Sequence, residues 1–158
     1  MSIMRRKDRE LTPEQAWEIV DQCSEGVVAM MDGDGAPYAV PVNLVREENR
    51  MYFHSAMAGK KTDCLRGSPR VCVTCVERGA EIDQPGLTTR YASAILTGTA
   101  AEVTDTAEKV HALRLLCRKL APENPYWQGD FHDCLGHTAV WRITVEQITG
   151  KANPGRME

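Results

Sequence analysis

The chain has 158 residues, enough to bury a core, and its formal net charge of −3 at pH 7 argues against binding to nucleic acid or to an anionic membrane surface. No apolar run reaches the roughly 18 residues that a membrane span needs. The charged start, MSIMRRKDRE, lacks the apolar core of a signal peptide. We therefore expect a cytoplasmic protein whose partners are neither nucleic acid nor membrane.

The first predicted element is a helix. Thr12 can cap its N-terminus, Pro13 suits the first helical position, and Gln15 completes a capping box. Apolar residues then recur at helical spacing until Gly26 ends the pattern.

A β-hairpin follows this helix. The run VVAMM at 27–31 predicts a strand, and DGDG at 32–35 is a strong turn signal. The return strand, PYAVPVNLV at 37–45, carries Pro41 near its middle. Because proline cannot donate to a ladder, we expect this strand at a sheet edge or at a bulge.

The middle of the chain combines three strands with a short helix. MYFHS at 51–55 predicts a third strand, and a helix is expected over 59–66, before the breakers at 67–69. RVCVTCV at 70–76 predicts a fourth strand. After a loop, the run TRYASAILTGTAAEV at 89–103 contains a fifth.

The last third of the chain adds one helix and one strand. Asp105 and Glu108 mark a helix start, and the loop at 122–135 contains several aromatic residues. A sixth strand is predicted near 138–148. Six strands with turn-type links and three helices favour an antiparallel barrel or sheet with peripheral helices. Without a repeat or a linker, we expect one domain over 1–158.

The six cysteines are scattered through predicted helices and strands, unlike the disulfide framework of a small secreted domain. Cys72 and Cys75 have the C-x-x-C spacing of zinc and redox sites. Their run predicts a strand, however, in which residues three apart point to opposite faces. We therefore expect ordinary thiols and no metal site.

The stretch YFHSAMAGKK at 52–61 joins the third strand to a helix start. Helix N-termini carry unpaired N–H groups and a partial positive charge, so they favour anions. His54 lies at the strand end, Ser55 can donate a hydrogen bond, and Lys60 and Lys61 add positive charge. This combination predicts a phosphate-binding cradle.

The alternative interpretation of the same stretch is a solvated basic turn beside a buried, hydrogen-bonded His54. The sequence contains neither the G-x-x-x-x-G-K-[ST] pattern of a P-loop nor the G-x-G-x-x-G pattern of a Rossmann site. Any nucleotide site therefore belongs to another class.

Two further strands carry residues that suit a flat ligand. Pro41, Val42 and Asn43 offer a missing N–H group, an apolar side chain and an amide, with Asn43 facing away from Val42. Tyr91 and Ser93 are two residues apart and share one face of the fifth strand. The alternative role for Tyr91 is that of a partly buried anchor.

These segments, in this order, resemble the flavin-binding split-barrel proteins related to nitroimidazole-resistance reductases and, more distantly, pyridoxamine 5'-phosphate oxidase. The resemblance covers nearly the whole chain. It rests on MRRKDRE near the start, VPVN at 40–43, YFHSAMAGKK at 52–61, L-R-x-x-P-R-V at 65–71, TRYASAILTGTA at 89–100 and ITGK at 148–151.

The resemblance implies a mainly β (α+β) fold, a six-stranded antiparallel split β-barrel with peripheral helices. It also implies a homodimer with FMN in clefts between the subunits. By the same resemblance His54, Ser55, Lys60 and Lys61 lie near the phosphate or ribityl chain. The strand with Pro41, Val42 and Asn43 meets the flavin ring, and Tyr91 and Ser93 line the same cleft.

The first functional hypothesis is an FMN-dependent oxidoreductase that reduces a small nitroaromatic or quinone-like compound. His54 is then the candidate catalytic residue, since the pKa of a free imidazole lies near neutrality; alternatively, it only hydrogen-bonds the cofactor or the backbone. The other hypotheses are a non-catalytic flavin-binding or sensing protein, and a split barrel that binds haem or a deazaflavin. The loops at 77–90 and 122–135 match no motif and leave the substrate open.

Overall fold

The computed structural model describes residues 4–77 and 79–154. Within these ranges the chain forms three α-helices, nine β-strands and two short 3-10 turns. The helices are α1 (Pro13–Gln22), α2 (Lys60–Gly67) and α3 (Thr106–Leu120). The strands are β1 (Glu10–Leu11), β2 (Glu25–Met31), β3 (Pro37–Asn43), β4 (Val45–Glu47), β5 (Arg50–Ala56), β6 (Arg70–Val76), β7 (Glu81–Asp83), β8 (Thr88–Glu102) and β9 (Thr138–Asn153).

All strand pairs are antiparallel, in the order β3-β2-β6-β8-β9-β5-β4, with β1 beside β9 and β7 beside β8. The six long strands are the six predicted ones. β3 and β5 approach each other, but no ladder joins them in the described part of the chain, so the barrel stays open there. The predicted split-barrel fold is confirmed.

Three details differ from the sequence prediction. The strand expected over 37–45 is two strands, because the chain leaves β3 after Asn43 and starts β4 at the far end of the sheet. The strands β1 and β7 are two and three residues long, too short to show a period. The last strand continues past 148 to Asn153. Pro41 does lie on an edge strand, as predicted.

The core has two parts, on opposite faces of β5. Met51 and Phe53 point into the barrel, where the ring of Phe53 stacks on that of Trp141 with 6.4 Å between centroids. Tyr52 points the other way, into a smaller cluster beneath α3. Because side chains alternate along a strand, His54 belongs to the α3 side of β5.

The two cysteines of the C-x-x-C run lie on opposite faces of β6, as predicted. Cys75 is buried in the barrel and Cys72 is half-buried on the outer face. No helix in the described ranges is long and apolar enough to cross a membrane.

Gly98 marks an irregularity between the two longest strands. The register of β8 against β9 shifts between Thr97 and Gly98, and a Cβ atom at Gly98 would lie 2.2 Å from the carbonyl oxygen of Thr144. We expect Gly98→Ala to lower the free energy of unfolding by about 1–3 kcal/mol, because backbone cannot yield easily. Urea denaturation measures the change. Gly136→Ala is the control, since nothing lies within 4 Å of the added atom; equal effects of the two would contradict the steric cause.

Candidate functional site

The junction between β5 and α2 has the features of an anion site. Helix α2 begins at Lys60, and its N-cap, Gly59, has a φ of +131°, a conformation that favours glycine. Among the described residues, no side chain caps the first turn. The hydroxyl of Thr62 donates to the carbonyl oxygen of Gly59 at 2.7 Å, which leaves the N–H groups of the turn for a ligand.

The two lysines of the junction have different surroundings. The Lys60 ammonium lies 3.6 Å from a carboxylate oxygen of Asp32 and 4.6 Å from the centre of the Tyr38 ring. The Lys61 ammonium lies 6.0 Å from the centre of the Phe53 ring and forms no ion pair within the described ranges. Burial lowers the pKa of Lys61. Lys61 is therefore the cation still available to an anionic ligand.

His54 and Ser55 are neighbours in the chain but face opposite sides of β5. The Ser55 hydroxyl accepts a hydrogen bond from the Trp141 indole N–H at 3.1 Å and donates to the carbonyl oxygen of Ala56 at 2.9 Å. His54 is exposed on the α3 side and borders a cavity beside that helix. The structure therefore brings His54 near Lys61, while Ser55 is engaged with the barrel wall.

The charge state of His54 follows from its surroundings. Although the residue as a whole is exposed, partial desolvation of the ring is the larger cause that lowers the pKa of His54, and the positive charge of Lys61 is the smaller one. A neutral imidazole, with one N–H group and one free lone pair, therefore stands at the junction at neutral pH.

A proton NMR titration tests this charge state against a second histidine. His132 is hydrogen-bonded to Asp130, which raises its pKa. We expect the His54 midpoint below 6.5 and the His132 midpoint above it, with His54→Gln to assign the signal. Since the unfolded chain binds the proton more readily, His54 should reduce stability as the pH falls below 6.5, and His54→Gln should remove that loss. A His54 midpoint at or above that of His132 would contradict this environment.

The remaining predicted residues lie mostly on the outer face of the sheet. Val42 is buried in the barrel core, whereas Pro41 and Asn43 are exposed beside β2. The Asn43 amide donates to the carbonyl oxygen of Ser24 at 3.2 Å. Tyr91 and Ser93 share the outer face of β8, as their spacing predicted.

Tyr91 has cationic neighbours that the sequence did not indicate. Burial alone would raise the pKa of its phenol, but hydrogen bonds with Arg9 and Lys151 outweigh that effect and lower it. The Lys151 ammonium lies 6.0 Å from the centre of the ring. The β8–β9 ladder pairs Lys151 with Ser93, and the β1–β9 ladder pairs it with Glu10, the residue after Arg9.

The predicted residues Tyr91 and Ser93 lie near one end of β2, and the two lysines lie near the other end. Ser93 pairs with Val76 beside the start of β2, whereas Lys60 contacts Asp32 just after its end. A seven-residue strand spans about 20 Å. One copy of the chain therefore does not bring Tyr91 and Ser93 to the lysines.

The outer face of the sheet exposes a group of large apolar side chains, which we call the outer apolar face. Side-chain alternation along β2, β6 and β8 places them on the same side of the sheet: Val27 (43% exposed), Met31 (40%), Val76 (52%) and Ile95 (47%).

Sequence reasoning missed the cavity that His54 borders. It lies between α3 and the loop that leads to β9, and contains Leu113, Leu116 and Phe131 among its lining residues. The sequence does contain an apolar stripe in α3 and a loop rich in aromatic residues. It does not show that the two pack against each other to form a cavity.

Comparison with known proteins identifies the family. The sequence profile of the pyridoxamine 5'-phosphate oxidase family matches residues 12–152. An uncharacterised protein of Rhizobium meliloti is 31% identical over 110 residues, which cover 63% of this chain and 67% of that protein.

Solved structures agree with the sequence match. A candidate 5-nitroimidazole antibiotic resistance protein from Bacteroides thetaiotaomicron is 28% identical, with a TM-score of 0.79 over 90% of this chain and 85% of that one. An FAD-binding protein from Mesorhizobium loti is 25% identical, with a TM-score of 0.67 over 92% of this chain and 97% of that one. The chain therefore belongs to the pyridoxamine 5'-phosphate oxidase family.

Proposed function

We propose that the chain binds FMN and reduces small nitroaromatic or quinone-like compounds as a homodimeric oxidoreductase. The observation that carries the proposal is the β5–α2 junction. There an uncapped helix N-terminus, a lysine that forms no ion pair with the residues the structure describes, and a histidine with a lowered pKa lie together. FMN has a dianionic phosphate and a flat ring system, which need a positive receptor and an apolar wall.

The junction fits the phosphate end of FMN. The first-turn N–H groups of α2 and the Lys61 ammonium would hold the phosphate, with Lys60 contributing less because Asp32 already pairs with it. When bound, FMN supplies the electron transfer. The protein binds and orients the nucleotide, and His54 presents its N–H group and lone pair on the α3 side of β5.

A second copy of the chain would complete the cleft. The outer apolar face supports a dimer, since burying it would remove four large side chains from water. It also carries Tyr91, Ser93 and the exposed edge strand with Pro41 and Asn43. Tyr91 and Ser93, some 20 Å from the lysines of their own chain, would meet a flavin ring bound to the partner.

Absorbance and stopped-flow measurements test the activity. We expect purified protein to be yellow with a flavin spectrum, and the photoreduced protein to be reoxidised by nitroaromatic acceptors faster than free reduced FMN. Reoxidation at the rate of free FMN would reject the enzyme and leave a flavin-binding or sensing protein. A haem or deazaflavin spectrum in place of flavin would reject FMN itself.

A further inference from the structure

A cavity lies on the α3 side of β5 and is bordered by His54. It is partly open and has a volume of about 350 Å³. Leu113, Leu116 and Leu120 of α3 form one wall. Tyr126 and Phe131 form part of the facing wall, with their rings edge to face and 5.1 Å between centroids. A flat apolar group would contact side chains on both sides.

The loop wall of the cavity is held in place by α3. Arg114 donates to the carbonyl oxygen of Trp127 at 3.1 Å, and Lys109 donates to that of Leu135 at 2.6 Å. Phe131 is buried although its φ is +59°, a conformation that is unfavourable for a residue with a side chain. Such a loop presents a preformed wall, which reduces the entropy lost on binding.

Polar groups also line the cavity. His54 of β5, Thr138 of β9 and the thiols of Cys117 and Cys134 all border it. Burial lowers the pKa of His54 and raises that of Cys117, so the imidazole and this thiol are both neutral at neutral pH. No lining residue within the described ranges carries a formal charge. Recognition here therefore depends on apolar contact and hydrogen bonds rather than on ion pairing.

We propose that this cavity binds the electron acceptor, an uncharged flat aromatic compound of one or two rings whose polar substituent points to His54. The volume lies at the small end of the range for small-molecule sites, which suits so small a compound. The inference rests on the proposed function, since His54 would border both the flavin at the junction and the acceptor in the cavity.

Filling the mouth of the cavity tests the assignment. Ala121 lines the cavity, is exposed and follows the last residue of α3, so Ala121→Trp adds an indole with little risk to the fold. Glu123→Trp is the matched control, because it adds the same group to the same loop outside the lining. We expect nitrobenzene, titrated calorimetrically into the purified full-length chain, to bind at least tenfold more weakly to Ala121→Trp and unchanged to Glu123→Trp.

A parallel FMN titration separates the two proposals. Unchanged FMN affinity in Ala121→Trp, with weaker nitrobenzene binding, supports the acceptor site. Weaker FMN binding in that variant would show that the cavity holds part of the flavin and would overturn the inference. Nitrobenzene binding that is undetectable in the unaltered chain, or equal in both variants, would also overturn it. A chain that binds nitrobenzene in the cavity but never binds FMN would reject the proposed function and leave the cavity site standing.

Discussion

Replacing Lys61 with alanine should weaken FMN binding by about 10- to 100-fold, because hydrogen bonds to charged groups contribute roughly 1.5–3 kcal/mol. Lys61 has no ion pair to give up within the described ranges, so its whole charge is available to the phosphate. Lys60→Ala should cost less, since Lys60 already shares its charge with Asp32 at 3.6 Å. The double variant should be the weakest binder.

Flavin fluorescence titration measures these affinities. Lys7→Ala is the control, because Lys7 is an exposed lysine paired with Glu10 and lies outside the junction. Equal affinities for Lys61→Ala and the control would reject the cradle at the start of α2. If Lys60→Ala lowered FMN affinity more than Lys61→Ala does, the assigned roles of the two lysines would be reversed.

Placing a charge on the outer apolar face should dissociate the dimer and release FMN. Ile95→Glu replaces one of the four apolar side chains that the proposed interface buries with a carboxylate, and burying an unpaired charge is costly. We expect sedimentation equilibrium to give the mass of one chain. FMN affinity should fall more than tenfold, because Tyr91 and Ser93 would no longer reach the partner's flavin.

Ala101→Glu is the control for this variant. It makes the same change of charge on the same strand, at an exposed position past the irregularity at Gly98 and opposite Arg142. It should remain dimeric and keep FMN. A clean Ile95→Glu monomer that retains FMN with full affinity would show that each cleft is complete within one chain.

Much of the fold could be predicted from local patterns. The capping box at Thr12 and Gln15 is present in full, and Asp32 accepts hydrogen bonds from the backbone of its predicted turn. The edge position of Pro41 also followed from local chemistry, since it lacks an N–H group. Each of these features depends on residues fewer than five positions apart.

The rest depended on contacts between distant parts of the chain. Lys60 and Lys61 cannot be distinguished from the sequence alone, but in the structure Lys60 pairs with Asp32. This ion pair forms because α2 packs beside the β2–β3 turn. The placement of Tyr91 beside Arg9 and Lys151 needs the β8–β9 ladder. The opposite directions of His54 and Ser55, by contrast, follow from strand alternation, and the sequence contained that signal.

Side chains along β5 point alternately to its two faces, and this limits how far the effect of a substitution on one face reaches the other. The strand separates two compartments. Phe53 and Ser55 face the barrel interior, behind the strand, and Tyr52 and His54 face the compartment under α3, in front of it. Residues that meet across it share only backbone. Substitutions in the front compartment can therefore alter which molecules enter while the side-chain packing behind the strand is kept, and pairs of changes more than about 10 Å apart on the two sides should combine additively.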